Sequence, residues 1–380
     1  MHRITLDEIK PGMYLLRPLL SDDGKVLLHE GIEIKERYIQ YLRKQGLTTL
    51  FVGDPENIIG LEEDFYDAKH RKQAIDVARD VVERFRVGKG INLERVKHFI
   101  GGLIDRLGQS PQNMNFFLDI RRKEEYIYAH SINTCVLSIM TGMAIGYDTK
   151  QLDDLGLAAM LHDVGKTKFS RHLALQFPDS LTKKEREEYR RHTYYSLEIL
   201  RDSPGLSVNV INACFQHHER WNGSGYPIGL KSDAISEYAQ IISIADAYER
   251  LITGLPHRRP VSVYYAVAIL NKAAGEYFSP AIVDKFNQNI AIYPIGRTVW
   301  LSTRQSGTIL GVGINSKTTP VVRILDDGGK ATSQVVELDL RKNPDLFILD
   351  LEEITPSYVH TYGSRSSPHR DWGGLRDKLG

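Results

Sequence analysis

Cysteine is scarce. Two thiols in 380 residues, Cys135 and Cys214, cannot build a disulfide framework, and both sit in apolar, helix-like stretches. A reducing, cytoplasmic setting is the reading that follows. Long hydrophobic runs are missing too: no stretch approaches the ~20 apolar residues of a membrane span, and Met1 to Lys10 holds no apolar signal core. Nor is there an excess of either charge, since 49 Lys and Arg stand against 48 Asp and Glu for a formal net charge of +1. That argues against gripping a nucleic acid polymer by bulk charge, while leaving room for a local basic pocket around a small phosphate ligand. What is present is a globular balance of 42% apolar and 26% charged residues, in a chain long enough for two to three domains at ~150 residues each.

The texture changes along the chain. Residues 1–55 read as a small β-rich unit, with turn signals at Pro11-Gly12 and Asp22-Asp23-Gly24, strand-like runs at 13–16, 25–28 and 48–52, and a helix at 34–45. Residues 56–115 read as a helical connector. Ala74, Val77, Ala78, Val81, Val82 and Phe85 recur at three- and four-residue steps and make one apolar stripe, suited to packing on a neighbour. A seam between two copies stays open for so short a stripe. Residues 116–290 carry helical periodicity, with helices expected at 126–145, 150–164, 183–201, 207–216, 236–252, 262–274 and 280–288. Short strands between turn residues return at 291–355 and suggest a small barrel-like unit, and the Ser-, Gly- and Arg-rich residues 356–380 read as a flexible tail. The fold class expected is multidomain, a mainly α-helical domain flanked by small β-rich units.

Six of the thirteen histidines, His130, His162, His172, His192, His217 and His218, fall between positions 130 and 218. A lone helical histidine is more often a satisfied core or surface residue than a ligand. The combination is harder to dismiss. His162-Asp163 ends the apolar run Leu155–Leu161, where an imidazole and a carboxylate side by side cost several kcal/mol unless a partner or metal compensates. His217-His218-Glu219 ends another apolar helix and opens a glycine-rich loop, and Asp246 lies within Ile241–Tyr248. Imidazoles and two carboxylates on separate helices suit a two-metal site in which one carboxylate bridges ions ~3.5–4 Å apart, as in phosphoester hydrolysis.

The order His130, His162-Asp163-Val164-Gly165-Lys166, His192, His217 through Pro227, Asp246 resembles the HD-GYP family, helical metal-dependent phosphodiesterases that open cyclic di-GMP. The resemblance covers residues 116–290, and the segment His217–Pro227 is its most specific part. It implies an HD-type catalytic domain in which His130, His162 and Asp246 hold one divalent ion and His192, His217 and His218 the other, with Asp163 bridging. Some members add a third ion through a glutamate four residues before the first histidine; Tyr126 stands there, so two ions are expected. Iron, manganese, nickel or zinc all suit such ligands.

The implied reaction is hydrolysis of cyclic di-GMP to pGpG, with onward cleavage to GMP left open, by water activated between two ions. Asp163 and Lys166 are the candidate catalytic residues, the lysine placing a point charge on the phosphate. Gly223, Gly225, Tyr226 and Arg258 are candidate substrate contacts. Tyr226 has two readings, stacking on guanine or packing beneath the loop, and Glu219 two more, orienting a ligand histidine or pairing with Arg220 at the surface. The family commonly reads Asp-Ala-Leu-Thr after the metal aspartate and then Arg-Pro-Tyr-Arg. This chain has Glu249-Arg250-Leu251-Ile252 and, further on, Leu255 where the first of those arginines would stand; Ser170 and Gln176 also depart. Two alternatives therefore stay open: hydrolysis of another cyclic dinucleotide, and a non-catalytic module that binds one for signalling. Protein partners through the glycine-rich loop or the β units, and a homodimer, are left open as well.

Overall fold

The computed structural model describes residues 2–6, 9–15, 19–20, 26–28, 31–44, 49–53, 68–109, 126–170, 173, 181–253, 261, 263–288, 290, 298–303, 305–313, 316–326, 336–343, 346 and 348–349. The protein is mainly helical. At its centre lies α4 (Tyr126–Ile145), buried on every side from Ala129 to Ile139, as a helix without a polar face must be. Around it pack α2 (Ala68–Arg86), α3 (Leu93–Gln109), α5 (Thr149–Leu161), α6 (Lys183–Arg190), α7 (His192–Arg201), α8 (Val208–Gln216), α9 (Glu237–Thr253), α10 (Val263–Lys272) and α11 (Pro280–Asn287). Helices α2, α5, α9 and α11 touch α4 directly, while α8 is wedged against α5, α7 and α9.

Local sequence fixes several helix starts. Asp148 caps α5, accepting from the Gln151 amide at 2.8 Å while its own amide donates to Gln151 Oε1 at 2.9 Å. Thr182 and Glu185 make the same reciprocal box at α6. Each such cap contributes about 1 kcal/mol. The stripe of α2 lies in the same apolar cluster as α4 and α5, with Ala74, Val77, Ala78, Val81 and Phe85 buried.

Two expected helices come out differently. The helix expected to run to Val164 stops at Leu161; His162 and Asp163 form a turn, and Val164–Lys168 make one turn of 3-10 helix. The single helix expected over 183–201 is broken at Arg191 into α6 and α7. Gly165 explains the tight local fit. A Cβ there would lie 1.9 Å from the His192 carbonyl oxygen and 2.6 Å from the Ser196 amide, so the 3-10 turn sits directly on the start of α7.

N-terminal to α2, β1 (His2–Thr5) and β2 (Tyr14–Leu15) flank β5 (Thr49–Gly53) in antiparallel register. β3 (Leu19–Leu20) pairs with β4 (Val26–Leu28), and α1 (Glu36–Lys44) places Ile39 and Leu42 in a separate apolar cluster with Leu15 and Val52. C-terminally, β6 (Thr298–Leu301), β7 (Ser306–Gly313) and β8 (Ser316–Asp326) form a small antiparallel sheet, with the short β9 (Glu337–Asp339) and β10 (Ile348–Leu349) at its edges. Among the described residues this sheet is open, without a ladder between its outer strands, where the sequence suggested a barrel. Its buried Val299, Leu301, Ile309, Val322 and Ile324 belong to the helical core cluster, not to a core of their own.

Candidate metal centre

Three helix ends and two helix interiors converge on one buried point. His130 sits in the second turn of α4, His162 and Asp163 follow α5, His192 opens α7, His217 and His218 follow α8, and Asp246 lies inside α9. These residues form two groups whose ligand atoms lie within 4.8 Å of one another: His130, His162 and Asp246, and Asp163, His192, His217 and His218. Asp163 stands between them. Its Oδ2 is 3.4 Å from His162 Nε2 and 3.8 Å from His130 Nε2, while its Oδ1 is 3.4 Å from His192 Nε2 and 3.7 Å from His217 Nε2.

The far side of each ring explains why the Nε2 atoms point inward. His162 Nδ1 is 2.7 Å from the Ala159 carbonyl, His192 Nδ1 is 2.6 Å from that of Tyr189, and His217 Nδ1 is 2.8 Å from that of Cys214. A carbonyl only accepts, so each Nδ1 carries the proton and each Nε2 presents a bare lone pair. His130 is anchored instead by the Glu249 carboxylate, 2.6 Å from Nδ1.

The electrostatics follow from burial. It holds His192 and His217 below the usual imidazole range, and for His218 it is reinforced by the neighbouring His217 and His192. These rings are neutral at pH 7, the form that ligates a cation. At His130 burial also works downward, but the Glu249 and Asp246 carboxylates outweigh it and push the ring up to about 9. Burial would raise the carboxyl of Asp163; Lys166 and His162 outweigh it and hold that group well below its ordinary range. At Asp246 the guanidinium of Arg250 likewise overcomes burial, with Arg250 Nε 2.8 Å from Oδ1.

Whether these residues fit a cation can be tested on the atoms left over. His192 Nε2 and His217 Nε2 face each other at 3.4 Å, two lone pairs with Asp163 Oδ1 beside them. His162 Nε2, His218 Nε2 and Asp163 Oδ1 are buried without a hydrogen-bond partner. Acceptors packed against acceptors cost several kcal/mol in a dry interior. A positive ion satisfies them together, so the donor set fits metal binding at both clusters.

The remaining candidates lie around this point. Lys166 donates to Asp163 Oδ2, and its ammonium lies 4.8 Å from the Tyr189 ring centroid. Tyr226 packs its ring on His218, with centroids 4.7 Å apart and an interplanar angle of 23°. Gly225 is pressed against the Glu219–Arg220 backbone, where a Cβ would fall 2.4 Å from the Arg220 amide, and Gly223 takes the left-handed φ of +82°. Glu219 does neither thing the sequence suggested. It is buried and accepts from the backbone amides of Ile228, Gly229 and Leu230 at 2.7–3.1 Å, clamping the loop from beneath. Arg258, Leu255, Gln176, His172 and the tail 356–380 lie outside the described residues.

Sequence reasoning gave no role to two residues that shape the centre. Glu249 is fully buried, holding His130 while accepting from Asn133 Nδ2 at 3.2 Å and Thr253 Oγ1 at 2.7 Å. Arg250 holds Asp246. Both follow Asp246 at three- and four-residue steps, which on a helix is the same face, and that spacing was the signal available.

A family model described as HD domain matches residues 120–282, a span containing every residue of both clusters. The cyclic di-GMP phosphodiesterase PA4108 of Pseudomonas aeruginosa is 26% identical over 281 residues, 73% of this chain and 66% of that protein. This is an HD-domain protein related to the HD-GYP cyclic di-GMP phosphodiesterases. The HD domain is similar also to a cyclic di-GMP phosphodiesterase of Thermotoga maritima, 33% identical over 48% of this chain and 49% of that one. A 3′3′-cGAMP-specific phosphodiesterase 2 of Vibrio cholerae is 27% identical over 47% of this chain and 37% of its own length. The chain thus spans from about a third to about two thirds of the length of these relatives. No helix among the described residues is long and apolar enough to cross a membrane.

Proposed function

We propose that this HD domain hydrolyses a phosphodiester bond of a cyclic dinucleotide, with cyclic di-GMP as the first substrate and pGpG as the product. The observation that carries the proposal is the placement of Asp163, whose two oxygens face two different histidine groups. In this reading His130, His162 and Asp246 hold one divalent ion, His192, His217 and His218 hold a second, and Asp163 bridges them. Iron, manganese, nickel and zinc all suit imidazole and carboxylate donors. Two such ions, when bound, supply Lewis-acid polarisation of the phosphoryl oxygens and lower the pKa of water.

The chain's own residues supply the rest. The carbonyls of Ala159, Tyr189 and Cys214 keep three imidazoles in one tautomer and orientation, so no reorganisation is needed when substrate arrives. Glu249 does the same for His130 and takes up its Nδ1 proton as a hydrogen bond. Lys166, already drawn toward Asp163, is the cation this reading assigns to a non-bridging phosphate oxygen. Gly223, Gly225, Tyr226 and Arg258 remain proposed substrate contacts, with the Tyr226 ring bracing His218 from the loop side.

The similarity to the cGAMP-specific protein supports 3′3′-cGAMP as a second substrate to test. Purified protein, its metal quantified, is incubated with each dinucleotide and the products are separated by chromatography. The proposal expects about two ions per chain and accumulation of a linear dinucleotide. Stoichiometric metal with tight nucleotide binding and no cleavage would replace it with a sensing role.

A further inference from the structure

Among the described residues, Lys166 and Arg250 bring basic side chains to the carboxylates of the centre, and they are not equivalent. Lys166 spends its ammonium on Asp163 and the Tyr189 ring. Arg250 has a planar fork with more donors than the structure uses. Its Nε is committed to Asp246 Oδ1 at 2.8 Å, and its side chain is only 14% exposed. Its Nη2 is buried and has no hydrogen-bond partner. A guanidinium nitrogen stripped of water with nothing to donate to costs about as much as a lost charged hydrogen bond.

The orphaned nitrogen lies at the centre, not at a distant surface. The charge of Arg250 acts on Asp246, Tyr189, Tyr126 and Asp163, and on Lys166, His218 and Tyr226. Helical geometry dictates this, since Arg250 stands one turn beyond Asp246 on the same face of α9. Two like charges, Lys166 and Arg250, thus stand beside Asp163 and Asp246, two carboxylates that are also candidate ligands of cations. Once those carboxylates serve metal ions, both side chains favour a further anion. A guanidinium fork matches a phosphate better than any other side chain does.

We propose that Arg250 grips the substrate phosphate: Nε fixes Asp246, and Nη2 donates to a non-bridging oxygen of the cyclic dinucleotide. The assignment rests on the phosphodiesterase reading for the identity of the ligand, and on the unpartnered Nη2 for the contact itself. It makes Arg250 a substrate-binding residue in a chain that has Leu255 at one arginine position expected from the family resemblance.

The test uses the full chain saturated with Mn2+ and two variants, Arg250→Ala and Arg250→Lys, with metal content measured for each. Inorganic phosphate is the probe, titrated by calorimetry, so the readout does not depend on turnover. The proposal expects phosphate affinity to fall about tenfold or more in Arg250→Ala at unchanged metal content, with Arg250→Lys recovering part of it. With cyclic di-GMP, the KM should rise more than kcat falls. Unchanged phosphate affinity in both variants at full metal content overturns the proposal. So does loss of ions from both variants, which would make Arg250 a support for Asp246 alone, or a gain in ion affinity without loss of phosphate, which would make it a competitor of the ion. If phosphate binding depends on Arg250 but neither dinucleotide is cleaved, the phosphodiesterase reading fails and the anion contact stands.

Discussion

The two histidine groups of the centre are held by partly different means: His162 leans on a carbonyl of its own segment as His192 and His217 do, and His130 alone does not. His192 and His217 lean on carbonyls three residues back in their own chain segment, so each ring is oriented by the helix end that carries it. His130 is mid-helix and has no such carbonyl; it is oriented by Glu249, 119 residues away on α9. The electrical consequence is equally divided. Burial keeps the first pair neutral, while the carboxylates around His130 push that ring up to about 9. The His192 and His217 side is built at helix ends; the other side pairs one locally oriented ring, His162, with His130, whose position depends on α4 and α9 staying in register.

Asp163 belongs to both groups, so its removal should have the largest effect. Asp163→Ala is expected to lose both ions and at least about 10³-fold in kcat; metal analysis with product chromatography checks it. A variant that keeps two ions and full activity would remove the basis for grouping these residues at all. His192→Ala comes next and separates the groups. It should cost one ion per chain and leave the other bound, read by metal stoichiometry after dialysis; loss of both would mean the groups are not independent. Glu249→Gln is the mildest. It retains an acceptor for His130 but not the charge, so affinity for one ion should fall about 10- to 100-fold while the other is unaffected, measured by competitive chelator titration. Equal weakening of both ions would contradict the division drawn above.

The same contrast accounts for what could be read in the sequence. His162 and His217 stand out because imidazoles at the ends of apolar helices are conspicuous, and Asp163 and Asp246 because carboxylates in apolar runs are costly, whereas His192, expected inside a charged helix, is reached only through the family resemblance. The carbonyls of Ala159, Tyr189 and Cys214 are invisible in a sequence, since every residue has one and only the helix geometry aims it. Glu249 and Arg250 were visible as helical neighbours of Asp246, yet a glutamate and an arginine in a helix ordinarily read as solvated, and only the packing of α9 on α4 turns them inward. The break at Arg191 had no glycine or proline to announce it. It accompanies the seating of Gly165 on the first residue of α7, a tertiary demand that periodicity does not record. Glu219 departs from both expected roles for a related reason, because its partners are backbone amides of a loop that closes only after folding.

Anomalous diffraction from crystals grown with Mn2+ tests the central claim most directly. Two peaks about 3.5–4 Å apart, one on each side of the Asp163 carboxylate, are the predicted result. One peak alone, or none within reach of Asp163, would contradict it.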